Sequence, residues 1–415
     1  MQKILLFIAS LFYFNSLFAK NEIKSWQGIH ETPLSRLEQQ FADPPVEFAN
    51  HVIWGWEGKM DKKTICNDLD SIKKKGFRAV IFEAGYKLPF KYLSEEWFKA
   101  IRTGVLEAKK RGMKVWIIDE GKYPSGFAGG KFSQERPDLR MQALVIGDTI
   151  QVKRGEVMTN HKIAPEIISA VAVSTSGAPN RTVAINNGEI SFNAGLDDWK
   201  ILLVKSDFRT AVTRAVNNPN GGKDATNSLC DYLNPVAVQQ FIDWTHEQYK
   251  KYLGKELGTT VLGFRGDEPD YAHLPWTPSI VQTFKDTKGY NPTPYLASFF
   301  TTSPTIQEQR VKADYWDVWS SLFATHFFKL QADWCAANGV AHITHLNKEH
   351  EMPACVKAEG DYFRNLSKVQ ISGVDAIWNQ IWPGTLNDFP KLASSVAHVY
   401  GKPRAFSESF AAYHI

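Results

Sequence analysis

The stretch Val261-Leu262-Gly263-Phe264-Arg265-Gly266-Asp267-Glu268-Pro269-Asp270 decides how this chain is read. Its apolar opening has the length of a strand, and two adjacent carboxylates and a proline follow. Proline has no N–H to give to a ladder, so a strand ends near Pro269. An acid at the C-terminal tip of a buried strand is where a (β/α)₈ barrel keeps its chemistry. A capping Asp-Glu pair ahead of a loop explains this stretch equally well by itself. The flanking sequence separates the two readings.

Towards the N-terminus, His51–Trp56, Arg78–Glu83 and Lys114–Glu120 read as strands. The helices between them carry Ile65, Leu69 and Ile72 on one face, or start at a Ser94-Glu95-Glu96 cap. A helix from Asn234-Pro235 to about Leu253 leads into the central strand. Beyond it, the strands Val340–His345, Gly373–Trp378 and Pro403–Ser409 alternate with helices over Asp314–Asn338 and Asn387–Tyr400. This is the βα repetition of a parallel sheet. Between 141 and 211 it gives way to β-branched runs separated by turn signals such as Asn186-Asn187-Gly188.

The expected class is therefore α/β, a (β/α)₈ TIM-type barrel with a small β-rich insertion. The strands add up to seven where closure needs eight, so truncation after about the seventh is expected, unless an early segment such as Ser25–His30 supplies the eighth. The expected division is a signal peptide at 1–19, an extended lead-in at 20–50, the first part of the barrel at 51–140, an inserted β-rich subdomain at 141–215, and the second part, incomplete at its C-terminus, at 216–415.

Composition is ordinary for a globular protein, 43% hydrophobic and 22% charged over 415 residues. Thirteen Trp suit walls that stack on sugar rings and serve equally as core filler. A scattered net charge of +4 argues against a nucleic-acid partner. Lys3, the apolar run Ile4–Phe14 and the small residue Ala19 form a secretory signal, too short for a good membrane span. A periplasmic or secreted protein without a stable membrane anchor is expected. Cys66, Cys230, Cys335 and Cys355 are too few for a disulfide scaffold and are read mainly as buried thiols.

Seven acids fall at strand tips: Glu83, Asp119, Glu120, Asp267, Glu268, Asp375 and Glu408. In a barrel, several would converge on one mouth. Glycoside hydrolysis needs such carboxylates, one protonated to help the leaving oxygen and one ionised to activate water or attack carbon. Glu268 and Glu408 lie on strands four and seven, across the ring. The competing reading is that these acids cap helices or pair with Arg265 or Arg404. Trp54 and Trp56 alternate on strand one, so both point one way, either into packing or onto a sugar. His342 and His345 have opposite parity and should not face one site. The spacing His-Glu-x-x-His is absent, so a zinc centre is not expected. An oxygen-ligand metal fits the surplus of acids better.

Several co-linear segments carry a resemblance: Phe41-Ala42-Asp43-Pro44-Pro45, Val52–Trp56, Lys75-Gly76-Phe77, Tyr92–Phe98, Asp119–Gly130, Asp267–Asp270, Leu274–Thr277, Trp334-Cys335, Ser394–His398 and Glu408-Ser409-Phe410. Over these the chain resembles glycoside hydrolase family 106, the α-L-rhamnosidases. It departs from the family pattern at Tyr123, in place of Trp, and at Thr344, in place of Gly, and both changes are expected to shift sugar preference. Family members are longer, so the chain is expected to be a catalytic-domain fragment.

The resemblance implies an inverting hydrolase acting on terminal α-linked rhamnose of an oligosaccharide or polysaccharide, with Ca²⁺ in the sugar subsite. It implies Glu268 as general acid and Glu408 as general base. Trp54, Trp56, Asp119, Glu120, Asp267, His345 and Asp375 are the expected substrate-binding residues, and Glu349 a metal or sugar ligand. A retaining barrel glycosidase of other specificity and a non-catalytic carbohydrate-binding protein are the alternatives. Carboxyl groups about 5–5.5 Å apart would favour retention and about 6.5–9.5 Å inversion, which is expected here.

Overall fold

A computed structural model describes residues 33–46, 50–211, 214–215, 226–271, 274–377, 380–381, 384 and 387–409. The signal segment at 1–19 and Trp378 lie outside the described residues. The fold is built on one parallel sheet of β1 (His51–Trp56), β2 (Ala79–Ala84), β3 (Lys114–Ile118), β4 (Val261–Asp267), β5 (Ala341–His345), β6 (Ile371–Ala376) and β7 (Ala405–Ser409), adjacent in that order. Every neighbouring pair is parallel, so all C-terminal tips lie on one rim. This is a curled seven-stranded sheet of the TIM-barrel type.

The two faces of the sheet separate by parity. Ile81, Trp116, Ile118, Leu262, Ala341, Ile343 and Ile371 fill the concave side, with Phe406 against them. Trp56, Val80, Phe82, Val115, Ile117 and Phe264 pack outwards against the helical residues Ile65, Leu69, Trp97 and Ile101. A bulge interrupts the pairing of β4 with β3 between Val261 and Gly263. A Cβ at Gly263 would lie 1.9 Å from the Ala341 carbonyl oxygen, so no other residue fits there.

The helices follow their caps. Lys62–Lys74 starts at Asp61, which accepts from the Thr64 N–H, and Glu95–Lys110 starts at Ser94, which accepts from the Trp97 N–H. Three expectations are corrected. The single helix expected from Asn234 is two, Pro235–Trp244 and His246–Leu253, broken at Thr245, whose hydroxyl donates to the Phe241 carbonyl. The helix expected from Asp314 begins at Ile306 on a Thr305/Glu308 capping box and runs through a π-helical segment, Phe323–Phe328, to Ala337. Within the lead-in read as extended, Leu34–Ala42 is helical.

The insertion is β-structured, as its turn signals require. Gln142–Val152, Trp199–Phe208 and Ile167–Ser174 form an antiparallel sheet. Asn187 and Gly188, both at positive φ, make the two-residue turn between Ile185–Asn186 and Glu189–Asn193. A short strand beyond β4, Pro275–Trp276, pairs with Gln142 and Ala143 and joins the insertion to the catalytic rim. All four cysteines are free, three of them buried. Among the described residues no helix is long and apolar enough to cross a membrane.

Candidate active site

The sheet register brings the predicted acids together. Asp267 is opposite His345 in the β4–β5 pair, and Asp375 is opposite Glu408 in the β6–β7 pair. All four side chains point into the concave mouth, where His345 is the common neighbour. Its Nε2 lies 3.1 Å from Asp267 Oδ1 and 3.2 Å from Glu408 Oε2. A nitrogen of the same ring is within 4.8 Å of carboxylate oxygens of Glu268 and Asp375. Arg265, buried two residues before Asp267, donates to Glu408 and has Nη2 2.9 Å from the His345 ring. The anticipated Arg265–carboxylate pairing is thus present, inside the acid cluster.

These partners set two opposite protonation states. Burial alone would raise the Glu408 carboxyl, but the Arg265 charge and the hydrogen bond from His345 outweigh it and hold Glu408 well below the usual range. For Glu268 burial dominates, with Asp267 and Asp375 adding to it against the opposing pull of His345 and Tyr123, and its carboxyl is raised. Burial likewise lifts Asp375 to about 7. Burial opposes protonation of His345, yet bonds to Asp267, Glu349 and Glu408 raise its pKa.

Glu268 has φ +40°, a strained conformation for a side-chain-bearing residue, immediately before a proline that disfavours helical backbone. Such strain, of roughly 1–3 kcal/mol, persists where surrounding contacts enforce it. Here Tyr123 bonds Glu268, and the Tyr123 hydroxyl also accepts from Asn347 Nδ2 at 3.2 Å.

The loop after β3 is held from inside. The Glu120 carboxylate accepts the backbone N–H groups of Gly121, Phe127, Ala128 and Gly129 at 2.5–2.8 Å. Ser125 stitches this loop to β4, donating to Asp119 Oδ1 at 2.6 Å and accepting from the Asp267 N–H at 2.7 Å. The loop then presents Lys122, 2.9 Å from Glu83, and Tyr123.

The expected substrate ligands therefore divide. Asp267, His345 and Asp375 stand in the mouth. Asp119 and Glu120 are fully buried and serve the loop's own backbone and Ser125, so their assignment to substrate is corrected. Trp54 and Trp56 are corrected too: Trp56 is fully buried, packed in tilted and edge-on contacts with Trp54, Phe82 and Trp97 on the helix side of the sheet. Thr344 also points outwards, donating to the Gly266 carbonyl, away from any sugar. The sequence reading missed Lys122 and Asn347, which reach the mouth from loops with no periodic signal.

Against this geometry, the profile of glycoside hydrolase family 106, described as alpha-L-rhamnosidase, matches residues 163–414, which contain Glu268, His345, Asp375 and Glu408. The chain belongs to glycoside hydrolase family 106. A Formosa agariphila protein with a provisional beta-glucuronidase name is 24% identical over 466 residues, covering 99% of this chain and 37% of that protein. The structure of a rhamnosidase from Novosphingobium sp. PP1Y superposes with a TM-score of 0.66 at 15% identity, over 92% of this chain and 53% of that one, a likeness of fold. The chain thus spans about a third to a half of the length of these relatives.

The Ca²⁺ implied by the family resemblance would find carboxylate oxygens here. Glu349 accepts from the Leu346 N–H at 2.9 Å through Oε1, while its buried Oε2 has no hydrogen-bond partner among the described residues, nor has Asp375 Oδ1. Two desolvated carboxylate oxygens left without donors are what a hard cation engages.

Proposed function

We propose that this chain carries the catalytic centre of an exported hydrolase that releases terminal α-L-rhamnose from a glycoside or polysaccharide with inversion. The observation behind the proposal is the split between Glu268, raised by burial, and Glu408, held down by Arg265 and His345, in one mouth around His345. Two carboxyl groups with opposed protonation states suit the acid and the ionised partner of glycoside hydrolysis, and inversion is what the family resemblance implies. Glu268 gives its proton to the glycosidic oxygen as the C1–O bond breaks. Glu408 takes a proton from the water whose oxygen bonds to C1 on the opposite face. Asp267 and His345 orient Glu408 and the sugar hydroxyls. Calcium, held by Glu349 and Asp375, would fix neighbouring hydroxyls of the sugar.

The test is turnover by the whole protein of a chromogenic α-L-rhamnoside beside the matching β-glucuronide, with the first-formed anomer read by NMR. Rhamnose appearing first as the β-anomer supports the reading. Glucuronide turnover alone, or retention, overturns it.

The pH profile follows from the same two groups. Glu268 works protonated, so the rate is expected to fall as pH rises through its raised pKa, about 8. Glu408 works ionised, so its limb lies near pH 2 and a broad plateau separates the two. A rate that climbs through pH 8 would remove Glu268 as the acid. Exhaustive chelation is expected to abolish turnover, and calcium to restore it better than zinc. Full activity without divalent ions would exclude the metal.

A further inference from the structure

On the opposite, helix-facing side of β5 three side chains meet that the hydrolytic site does not use: His246, Cys335 and His342. All three are buried, and one donor atom from each lies within 4.8 Å of the other two. They come from three elements: the start of helix His246–Leu253, helix Lys329–Ala337, and β5.

The tautomer of His246 follows from its neighbour. Thr245 has one hydroxyl proton, and it goes to the Phe241 carbonyl at 2.7 Å. Its oxygen, 2.9 Å from His246 Nδ1, therefore accepts from Nδ1–H. The lone pair of His246 is then on Nε2, which is buried without a hydrogen-bond partner among the described residues, as are both ring nitrogens of His342. Burial, the first cause in each case, keeps both rings neutral, the form that binds metals. An N–H anchored on a hydroxyl, leaving the other nitrogen with its lone pair and no hydrogen-bond partner, is the arrangement of a ligating histidine. Phe264, with its ring centroid 4.2 Å from that of His246, and Trp334, at 5.2 Å, wall the cluster.

We infer that His246, Cys335 and His342 form a structural site for a monovalent soft cation, Cu(I). A thiolate with two imidazoles selects copper or zinc over hard ions. In a trigonal shell, bonds of about 2.0–2.3 Å set donors roughly 3.5–4 Å apart, so three donors within 4.8 Å of one another close on one ion by drawing together. Charge decides between the metals. Cu(I) displaces the thiol proton, and Cu⁺ with one thiolate is neutral, as a dry apolar pocket requires; Zn²⁺ would leave a net positive charge there. Three protein donors also complete a trigonal Cu(I) shell, whereas structural zinc takes four. The ion would tie two helices to β5, three residues from His345.

The test uses the full chain carrying Cys66→Ala, which removes the one partly exposed thiol. It is refolded anaerobically with Cu(I) or Zn(II) against a competing chelator, because all three donors are buried. One equivalent of retained copper with one sulfur and two nitrogen neighbours by X-ray absorption is expected, and none in the further variant Cys335→Ala. No retained metal, undiminished copper in that variant, or zinc displacing copper at equal concentration would overturn the assignment. If Cys335→Ala fails to fold, the neighbour shell of the parent protein decides alone: a shell lacking sulfur, or one lacking nitrogen, overturns it.

Discussion

Replacing Glu268 by Gln in the whole protein is expected to lower kcat/KM about 10²–10⁴-fold on a rhamnoside with a poor, alkyl leaving group. On a nitrophenyl rhamnoside the loss should be much smaller, because that leaving group departs without protonation. Glu408→Gln should lose a comparable factor on both substrates, since activating water does not depend on what leaves. The contrast between the two variants separates acid from base in a way that a single loss of activity cannot. Equal losses on both substrates for Glu268→Gln, or turnover surviving both substitutions, would remove these assignments. Gln keeps the size of each side chain, so Glu268→Gln should leave the denaturant midpoint unchanged, whereas Glu408→Gln takes a counter-charge from buried Arg265 and should lower it.

Arg265→Met acts on stability and on chemistry together. The guanidinium is 2% exposed and faces Asp267 and Glu408 at once. Met has similar volume but no charge, leaving two partly buried carboxylates short of their cation. Breaking a buried pair from one side typically costs about 3–5 kcal/mol, to be read as a fall in the denaturant midpoint. The sign of the pH effect also follows. Arg265 helps hold the Glu408 pKa down, so its loss moves the acid limb of the rate profile to higher pH. A midpoint and an acid limb both unchanged would show that His345 suffices without Arg265.

The sequence made the rim legible because its signal is local. A strand-length apolar run that ends in Asp267-Glu268-Pro269 states both its direction and its tip, and six similar runs repeat the message. Parity correctly separated His342 from His345, which here face opposite sides of β5. Parity could not say which side is which. In a parallel sheet both faces are buried, so Trp54 and Trp56 carry no mark that sends them to the helices instead of the mouth. Asp119 and Glu120 misled for a related reason: a strand-tip acid looks alike whether it meets a substrate or the amides of its own loop. The Lys122–Glu83 pair, the Asn347 contact with Tyr123 and the His246–Cys335–His342 cluster depend on chain segments far apart, and no periodicity announces them.

The short strand Pro275–Trp276 gives the insertion a mechanical part in the site. It lies a few residues beyond Glu268 and is hydrogen-bonded to the first strand of the antiparallel sheet, with the Leu144 N–H donating to the Leu274 carbonyl at 3.1 Å. The 3₁₀ segment Thr293–Phe300 is tied to the same sheet through the Ala297 N–H and Ser169 Oγ at 3.0 Å. The backbone that carries a strained acid is therefore braced from the inserted domain, whose Arg214–Ala215 strand also pairs with Lys122 and Tyr123 at the mouth. Mutational drift in that sheet is not silent: a shift of register or a lengthened hairpin there passes to the acid. Remodelling the insertion is therefore expected to act on Glu268 through the backbone.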